Sequence, residues 1–450
     1  MKNIRGCKTW KSAVSRTLPM FAIILTILFL SSTGYAQGIN YPVGSPTGTS
    51  GTGNARTDPD NLFIRNNIAG LTEVPMTAEE ENSGKVNESG NSKLRLSGEF
   101  QLSFYSYERV RNFPSALPGG FGAESRANIV APGAAGEVTY TTGNRKYALA
   151  MGTYQLFGFS SKIEDNPADL GPRALFFDAR IASNDFAFGG AVRLHKKLSV
   201  GASFIFGRAF LDLEAPAAST LLAGSTAISR LDVDAVGAPG ANVGIHYRPT
   251  EKVSIGLNYK SKRSYDLEGN FSTFAVRPTP TGNQFIPVNP QVRVDIDLPT
   301  VLEGGIEIKP NEKIIFAADY RFYDYSDALQ LIQIRSQQSG QEIANQAVFA
   351  KDVRSIRLGS IFKLSDKTKL QLGFAYTTNG IPAGNVNPGL INTGGSDVSG
   401  GLSKKIAGYW FNFGVAGIFG RERKIETARN PIFPGTYRGK GVLFGFGLRL

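Results

Sequence analysis

The sequence predicts an all-β protein, a transmembrane antiparallel up-and-down β-barrel of about fourteen strands. Three observations carry that prediction. One hairpin design recurs along the chain. Its alternating strands are long enough to cross a membrane at a tilt. Short turns and long connections fall at opposite ends.

The clearest hairpin covers residues 303–322 around Pro310-Asn311-Glu312. Ile306 and Ile308 share one face, and after the turn so do Ile314, Phe316, Ala318, Tyr320 and Phe322. Glu303, Gly305 and Glu307 oppose the first set; Asp319 and Arg321 oppose the second. Period two across a polar turn marks a β-hairpin. The design returns at residues 192–201, 246–256 and 361–373, each a strand, a short charged turn and a strand carrying a glycine.

In chain order, the first residues read as an address. Lys2, Arg5, Lys8, Lys11 and Arg16 precede an apolar run over residues 20–30, and Gly34-Tyr35-Ala36 offers a cut before Gln37. Residues 1–36 are an export signal, its apolar run too short to span a bilayer as a helix. Cys7 leaves with it, which excludes disulfide and thiol chemistry from the mature chain. The five cations lost take the net charge from +12 to +7. That balance suits the anionic outer leaflet of a Gram-negative cell. No nucleic-acid partner, cofactor or metal site is expected.

Residues 37–56 are Gly, Ser, Thr, Pro and Asn-rich, a flexible lead. Residues 57–92 change character: Leu62, Phe63, Ile64, Ile68 and Leu71 cluster, and Thr77 with Glu80 forms a capping-box pattern. A lumen walled by fourteen strands is wider than side chains fill, so this segment is expected inside it as a plug. The barrel occupies residues 93–450. Leu94, Leu96, Phe100, Leu102 and Phe104 alternate with Lys93, Arg95, Ser97, Glu99, Gln101, Ser103 and Tyr105. The run exceeds the roughly 5–6 residues of soluble strands and matches the roughly 9–11 needed to cross a membrane. The apolar face is expected toward lipid and the polar face toward the lumen.

The strands are expected at 93–108, 137–158, 173–183, 186–195, 198–212, 231–248, 251–267, 291–309, 313–326, 351–364, 367–378, 404–419, 421–430 and 438–450. An even count puts both ends in the periplasm. Turns near His195, Pro249, Pro310 and Asp366 then fall on that side. Segments 111–135, 213–230, 268–290, 327–350 and 379–403 fall outside, and 159–172 is a periplasmic exception. Pro299 has no N–H to give the ladder and predicts a strand kink. Val442, Phe444, Phe446, Leu448 and Leu450 share a face of the last strand, where the barrel-assembly machinery reads its signal.

The sequence resembles the FadL/TodX family of outer-membrane proteins. Asn67-Ile68-Ala69-Gly70-Leu71 is similar to the family's Asn-Pro-Ala-Gly-Leu in the plug, with Ile68 in place of the proline. Asp297-Leu298-Pro299-Thr300 before Gly304 and Gly305 resembles its strand with a proline ahead of a glycine. Arg357-Leu358-Gly359 through Phe374-Ala375-Tyr376, and Gly408-Tyr409-Trp410 through Gly414, resemble its last hairpins. The resemblance implies fourteen strands and an N-terminal plug, with Asn67, Ala69, Gly70 and Leu71 at the gate. It also implies passive uptake of long-chain fatty acids or hydrocarbons, leaving sideways through a strand distortion. Outer-membrane lipid and lipopolysaccharide are the expected surroundings of a monomer.

The strand parities put Arg95, Arg293, Arg321 and Arg357 in the lumen with Glu99, Asp295 and Asp319. These arginines are candidates for a cargo carboxylate. Phe121, Phe271, Phe274 and Phe285 are candidates for an apolar groove in the loops. Two rivals stand beside this reading. One is a similar barrel serving protein secretion or surface attachment. The other is an enzyme, which finds only His195 and His246 as histidine bases, both beside short turns.

Overall fold

The computed structural model describes residues 52–56, 61–74, 92–110, 124–165, 176–216, 228–280, 282–386, 394–430 and 433–450. The export signal, Thr77, Glu80 and Phe121 lie outside the described residues, as does the side chain of Phe285.

Among the described residues, twenty strands form the wall and its rim. They are β1 (Lys93–Val110), β2 (Glu124–Thr141), β3 (Tyr147–Asp165), β4 (Phe176–His195), β5 (Leu198–Pro216), β6 (Ile228–Thr250) and β7 (Val253–Lys260). Next come β8 (Arg263–Thr279), β9 (Gly282–Val288), β10 (Gln291–Leu298), β11 (Thr300–Asn311), β12 (Ile314–Asp324), β13 (Leu331–Ser336) and β14 (Glu342–Ala347). The chain ends with β15 (Val353–Ser365), β16 (Thr368–Thr377), β17 (Gly395–Ile406), β18 (Tyr409–Gly420), β19 (Arg423–Ile425) and β20 (Gly435–Arg449). β7 with β8, and β10 with β11, each make one broken wall strand. β9, β13, β14 and β19 extend the outer rim. The wall is therefore a closed fourteen-strand antiparallel barrel, sealed where β1 pairs β20 from Ser97·Arg449 to Val110·Thr436.

The strand total agrees with the sequence reading, but two pairs of boundaries do not. The span 137–158 holds a turn: the Thr142 N–H donates to Tyr147 O at 3.0 Å, and Arg145 takes φ 55°. Thr139-Tyr140-Thr141 and Tyr147-Ala148-Leu149 alternate on either side, so the pattern runs across the turn unbroken. The described part of 173–183 and all of 186–195 belong to one strand, β4, with Asp185 buried inside it. Span 404–419 folds back at Ala407-Gly408, both at positive φ, and 421–430 holds only the three-residue β19. Each error adds a strand where another is lost. The 159–172 exception also disappears, because β3 and β4 both reach the end that carries the long connections.

Burial follows the alternation. Leu94 is 68% exposed and Phe104 43%, whereas Arg95, Ser97, Gln101 and Ser103 are buried. Phe316 points outward at 46% exposed and Asp319 inward at 3%. Phe316→Arg is expected to cost about 2–4 kcal/mol near the bilayer midplane, and Asp319→Asn much less. Folding titrations in lipid check this; equal costs would invert the two faces.

Two features interrupt the wall. Between β2 and β3 the ladder stops at Ala135·Tyr154 and resumes at Ala127·Ile163. The unpaired stretch of β2 lies beside Phe100 to Ser106 of β1, with Phe100 and Phe104 in the lipid-facing band. The second interruption crosses β6, β7/β8 and β10/β11. On β7, Ser254, Asn258 and Lys260 face in; on β8, Arg263, Tyr265 and Leu267 do. On β10 the inward set is Val292, Val294, Ile296 and Leu298; past Pro299 it is Val301, Glu303 and Glu307. β6 switches likewise, from Leu231 and Val233 to Asn242 and His246, around Gly237 at φ 101°. One extra residue in a strand exchanges its two faces.

Candidate functional site

The barrel interior has two halves. Toward the short turns the inward side chains are polar, among them Glu137, Ser199, Asn242, His246, Glu303 and Asp319. Toward the long connections they are apolar: Leu231, Leu267, Val294, Ile296, Tyr323 and their neighbours form one buried cluster. Phe271 joins it, and Phe274 is half-buried. The face exchange at Pro299 builds this apolar half by turning valines and isoleucines inward.

The N-terminal segment lies in the polar half. Residues 52–56 and 61–74 are buried throughout. Asp319 Oδ2 accepts from the N–H of Gly53 at 2.8 Å, the N–H of Asn54 at 3.1 Å and the Asn54 side-chain amide at 3.2 Å. Residues 52–56, placed in the lead by composition, are thus tied to β12. The Ile64 N–H donates to Glu137 of β2 at 2.9 Å. Asn67 caps the 3-10 turn Ile68–Glu73 through Ala69 N–H, while its Nδ2 donates to Asn54 O, Ile245 O and Leu257 O at 3.0–3.3 Å. At the far end, Glu73 pairs with Arg193 at 3.0 Å and Arg248 at 3.3 Å. Arg145 Nη1 donates to Val74 O at 3.0 Å.

Glycines let the segment lie flat on the wall. A Cβ at Gly244 would strike Asn67, and one at Gly256 would strike the Asn54 carbonyl. One at Gly201 would sit 2.8 Å from Ile68, and one at Gly152 2.9 Å from Ile64. Gly201 pairs with Gly244, and Gly256 with Gly305, across neighbouring strands. Leu62, Phe63, Ile64, Ile68, Leu71 and Val74 pack on Ala135, Ala148, Ala150 and Tyr154, next to the β2–β3 gap. Ala69 and Leu71 are fully buried. Gly70 abuts Phe63, where a Cβ would sit 2.9 Å away, so its smallness serves the segment's own packing.

The four arginines separate. Arg95, Arg321 and Arg357 are buried inside. Arg321 meets Glu303 at 3.1 Å, and Glu303 also holds Lys260 at 3.4 Å and accepts from Asn258 at 2.9 Å. Arg357 stands opposite Asp319 in the ladder. Arg293 is not lumenal: its side chain is 47% exposed and pairs with Asp266 at 2.6 Å and Asp295 at 3.1 Å. The face exchange at Pro299 puts Arg293 and Asp295 on the opposite surface from the one strict alternation gives. The two histidines also part. His195 lies at a turn, and buried His246 meets Ala55 O through Nε2 at 3.2 Å. Sequence reading missed the anchors Glu137, Glu73, Arg193 and Arg248. Gly201, Gly256 and Gly305, carried by three of the four hairpin repeats, were the visible trace of the trough.

The family model "Outer membrane protein transport protein (OMPP1/FadL/TodX)" matches residues 69–449. Among solved structures, a Pseudomonas aeruginosa FadL homologue superposes with TM-score 0.74 at 14% identity, covering 92% of this chain and 99% of its own. The Pseudomonas putida toluene transporter TodX gives 0.64 at 16% identity, covering 91% and 98%. The Ralstonia pickettii toluene transporter TbuX gives 0.58 at 18%, covering 92% and 98%. No curated protein matches the sequence.

Proposed function

Because this chain belongs to the FadL/TodX family of outer-membrane transport proteins, we propose that it is a gated channel for passive uptake of hydrophobic molecules such as hydrocarbons or long-chain fatty acids. The observation that carries this reading is the divided interior: an apolar mouth above a polar half occupied by the N-terminal segment. An apolar solute gains by leaving water for the mouth, at about 25 cal/mol per Å² buried. It cannot profitably continue into buried charge such as Glu303, Lys260 and Arg321. The β2–β3 gap offers it a way sideways at the depth of Phe100 and Phe104. Residues 52–74 act as the gate, with Asn67, Ala69, Gly70 and Leu71 at its seat on the wall.

The relatives named for their cargo are toluene transporters, which supports a small hydrocarbon as readily as a fatty acid. The family is one of transport proteins and not of enzymes, and a role in secretion or surface attachment is not favoured. Cells with and without the gene should differ in uptake of a labelled hydrocarbon or fatty acid. Equal uptake of both would refute the proposal.

A further inference from the structure

The β6–β8 boundary is a second place where the wall is not sewn. β6 pairs β7 up to Asn242·Lys260 and pairs β8 only from Asp234·Glu268 onward. Between them, residues 235–240 of β6 and 263–267 of β8 have no ladder partners in each other. Ser261 closes the lower end, donating its N–H to Ala241 O and accepting from Ala241 N–H, both at 2.9 Å. The other edges are sewn: β6 stays paired to β5 apart from one bulge, and β8 to β10 from Arg263 to Asn270.

Side chains fill the space behind the gap. Arg263 reaches past β6 to Asp185 on β4, a buried ion pair, and its Nη1 donates to Tyr265 Oη at 3.2 Å. Two glycines make room. A Cβ at Gly240 would lie 2.6 Å from Arg263 Cδ, and one at Gly207 would strike Tyr265 Oη. The bond set is incomplete: among the described residues Asp185 Oδ2 and Arg263 Nη2 lack hydrogen-bond partners. A half-satisfied buried pair is a costly way to fill a wall and serves better as a bar that can lift.

The gap also sits at a particular depth. Tyr259, just below it, and Phe206, level with its lower part, are exposed on the lipid side. Outward charges pair off at its two ends: Lys262 with Asp297 at 2.9 Å beside Ser261, and Arg208 with Asp234 at 2.9 Å where the β6–β8 ladder resumes. It therefore lies at the outer edge of the apolar band, where exposed aromatics meet paired charges. Behind it stands the apolar cluster, with Tyr265, Leu267, Leu231 and Val233.

We infer that the β6–β8 gap is a second side opening, through which an apolar molecule dissolved in the outer leaflet enters the mouth of the barrel, and that the Arg263–Asp185 pair bars it. This rests on reading the apolar mouth as the cargo path, but its test does not require transport. The full chain with Cys7→Ser carries a Leu267→Cys reporter, at a position fully buried in the closed wall. In lipid nanodiscs it is exposed to pyrene maleimide dissolved in the bilayer, or to a charged, water-soluble maleimide. Arg263→Met should raise the rate of lipid-side labelling about tenfold, the effect of losing about 1.4 kcal/mol from the closed state. Arg263→Met/Asp185→Leu, which leaves no unpaired carboxylate, should do the same and serves if the single variant fails to fold. Heat-modifiable gel mobility confirms an intact barrel. Unchanged lipid-side labelling in the double variant overturns the inference, as does an equal gain with the water-soluble reagent. Failure of hydrocarbon uptake by the parent chain would instead count against the cargo reading alone.

Discussion

Deleting residues 52–92 while keeping the export signal yields a folded barrel that passes small hydrophilic solutes. In planar bilayers the intact protein conducts little and the deletion conducts clearly more. The expectation follows from width: fourteen strands enclose more space than their side chains occupy. In the intact chain that space holds residues 52–56 and 61–74, tied to β2, β5, β6 and β12 through Glu137, Ser199, the Ile245 carbonyl and Asp319. The barrel keeps its own ladders without the segment, so folding should survive. Equal conductance from the two proteins would remove the gate from the mechanism.

The second large effect concerns a charged cargo. If the cargo is a carboxylic acid, alanine at one of Arg95, Arg321 or Arg357 weakens binding of the acid and leaves a neutral hydrocarbon unaffected. A lost charge-assisted hydrogen bond costs about 1.5–3 kcal/mol, about 10- to 150-fold in affinity. Arg293→Ala should change neither, since its partners Asp266 and Asp295 are outside the lumen. Arg321 is already engaged by Glu303, so its alanine variant also leaves a buried carboxylate short of a partner. A binding isotherm with a neutral analogue separates the two effects. Undiminished acid binding in all three variants favours a neutral cargo.

Alternation made most of the wall legible, because a barrel with lipid outside and polar groups inside writes its two faces into every second residue. The hairpin at Pro310 and the faces of β1, β12 and β20 read directly. Where a bulge exchanges the faces, alternation continues in the sequence and the assignment fails without a local sign. Pro299 marked the break, yet Arg293 lies six residues before it, and unbroken alternation from Glu303 gives it the wrong face. The tight turns at Asn144 and Gly408 hid for a similar reason, since the pattern resumes in phase on the far side. The site was less legible than the wall. Asn67 to Leu71 stood out by resemblance, but the residues that hold them lie on strands about 60 to 190 positions away. Gly201, Gly256 and Gly305 were visible as part of the repeat. What each makes room for emerges only when the N-terminal segment is laid across them.

A hydrophobic-molecule channel with its lumen filled should pass apolar molecules and stay closed to water-soluble ones. The most direct measurement uses the intact protein in a bilayer whose outer leaflet is lipopolysaccharide, with a labelled hydrocarbon and a labelled small sugar added together outside. The hydrocarbon should cross faster than through the protein-free bilayer, and the sugar should not. A protein that speeds the sugar, or leaves the hydrocarbon at the protein-free rate, would contradict it.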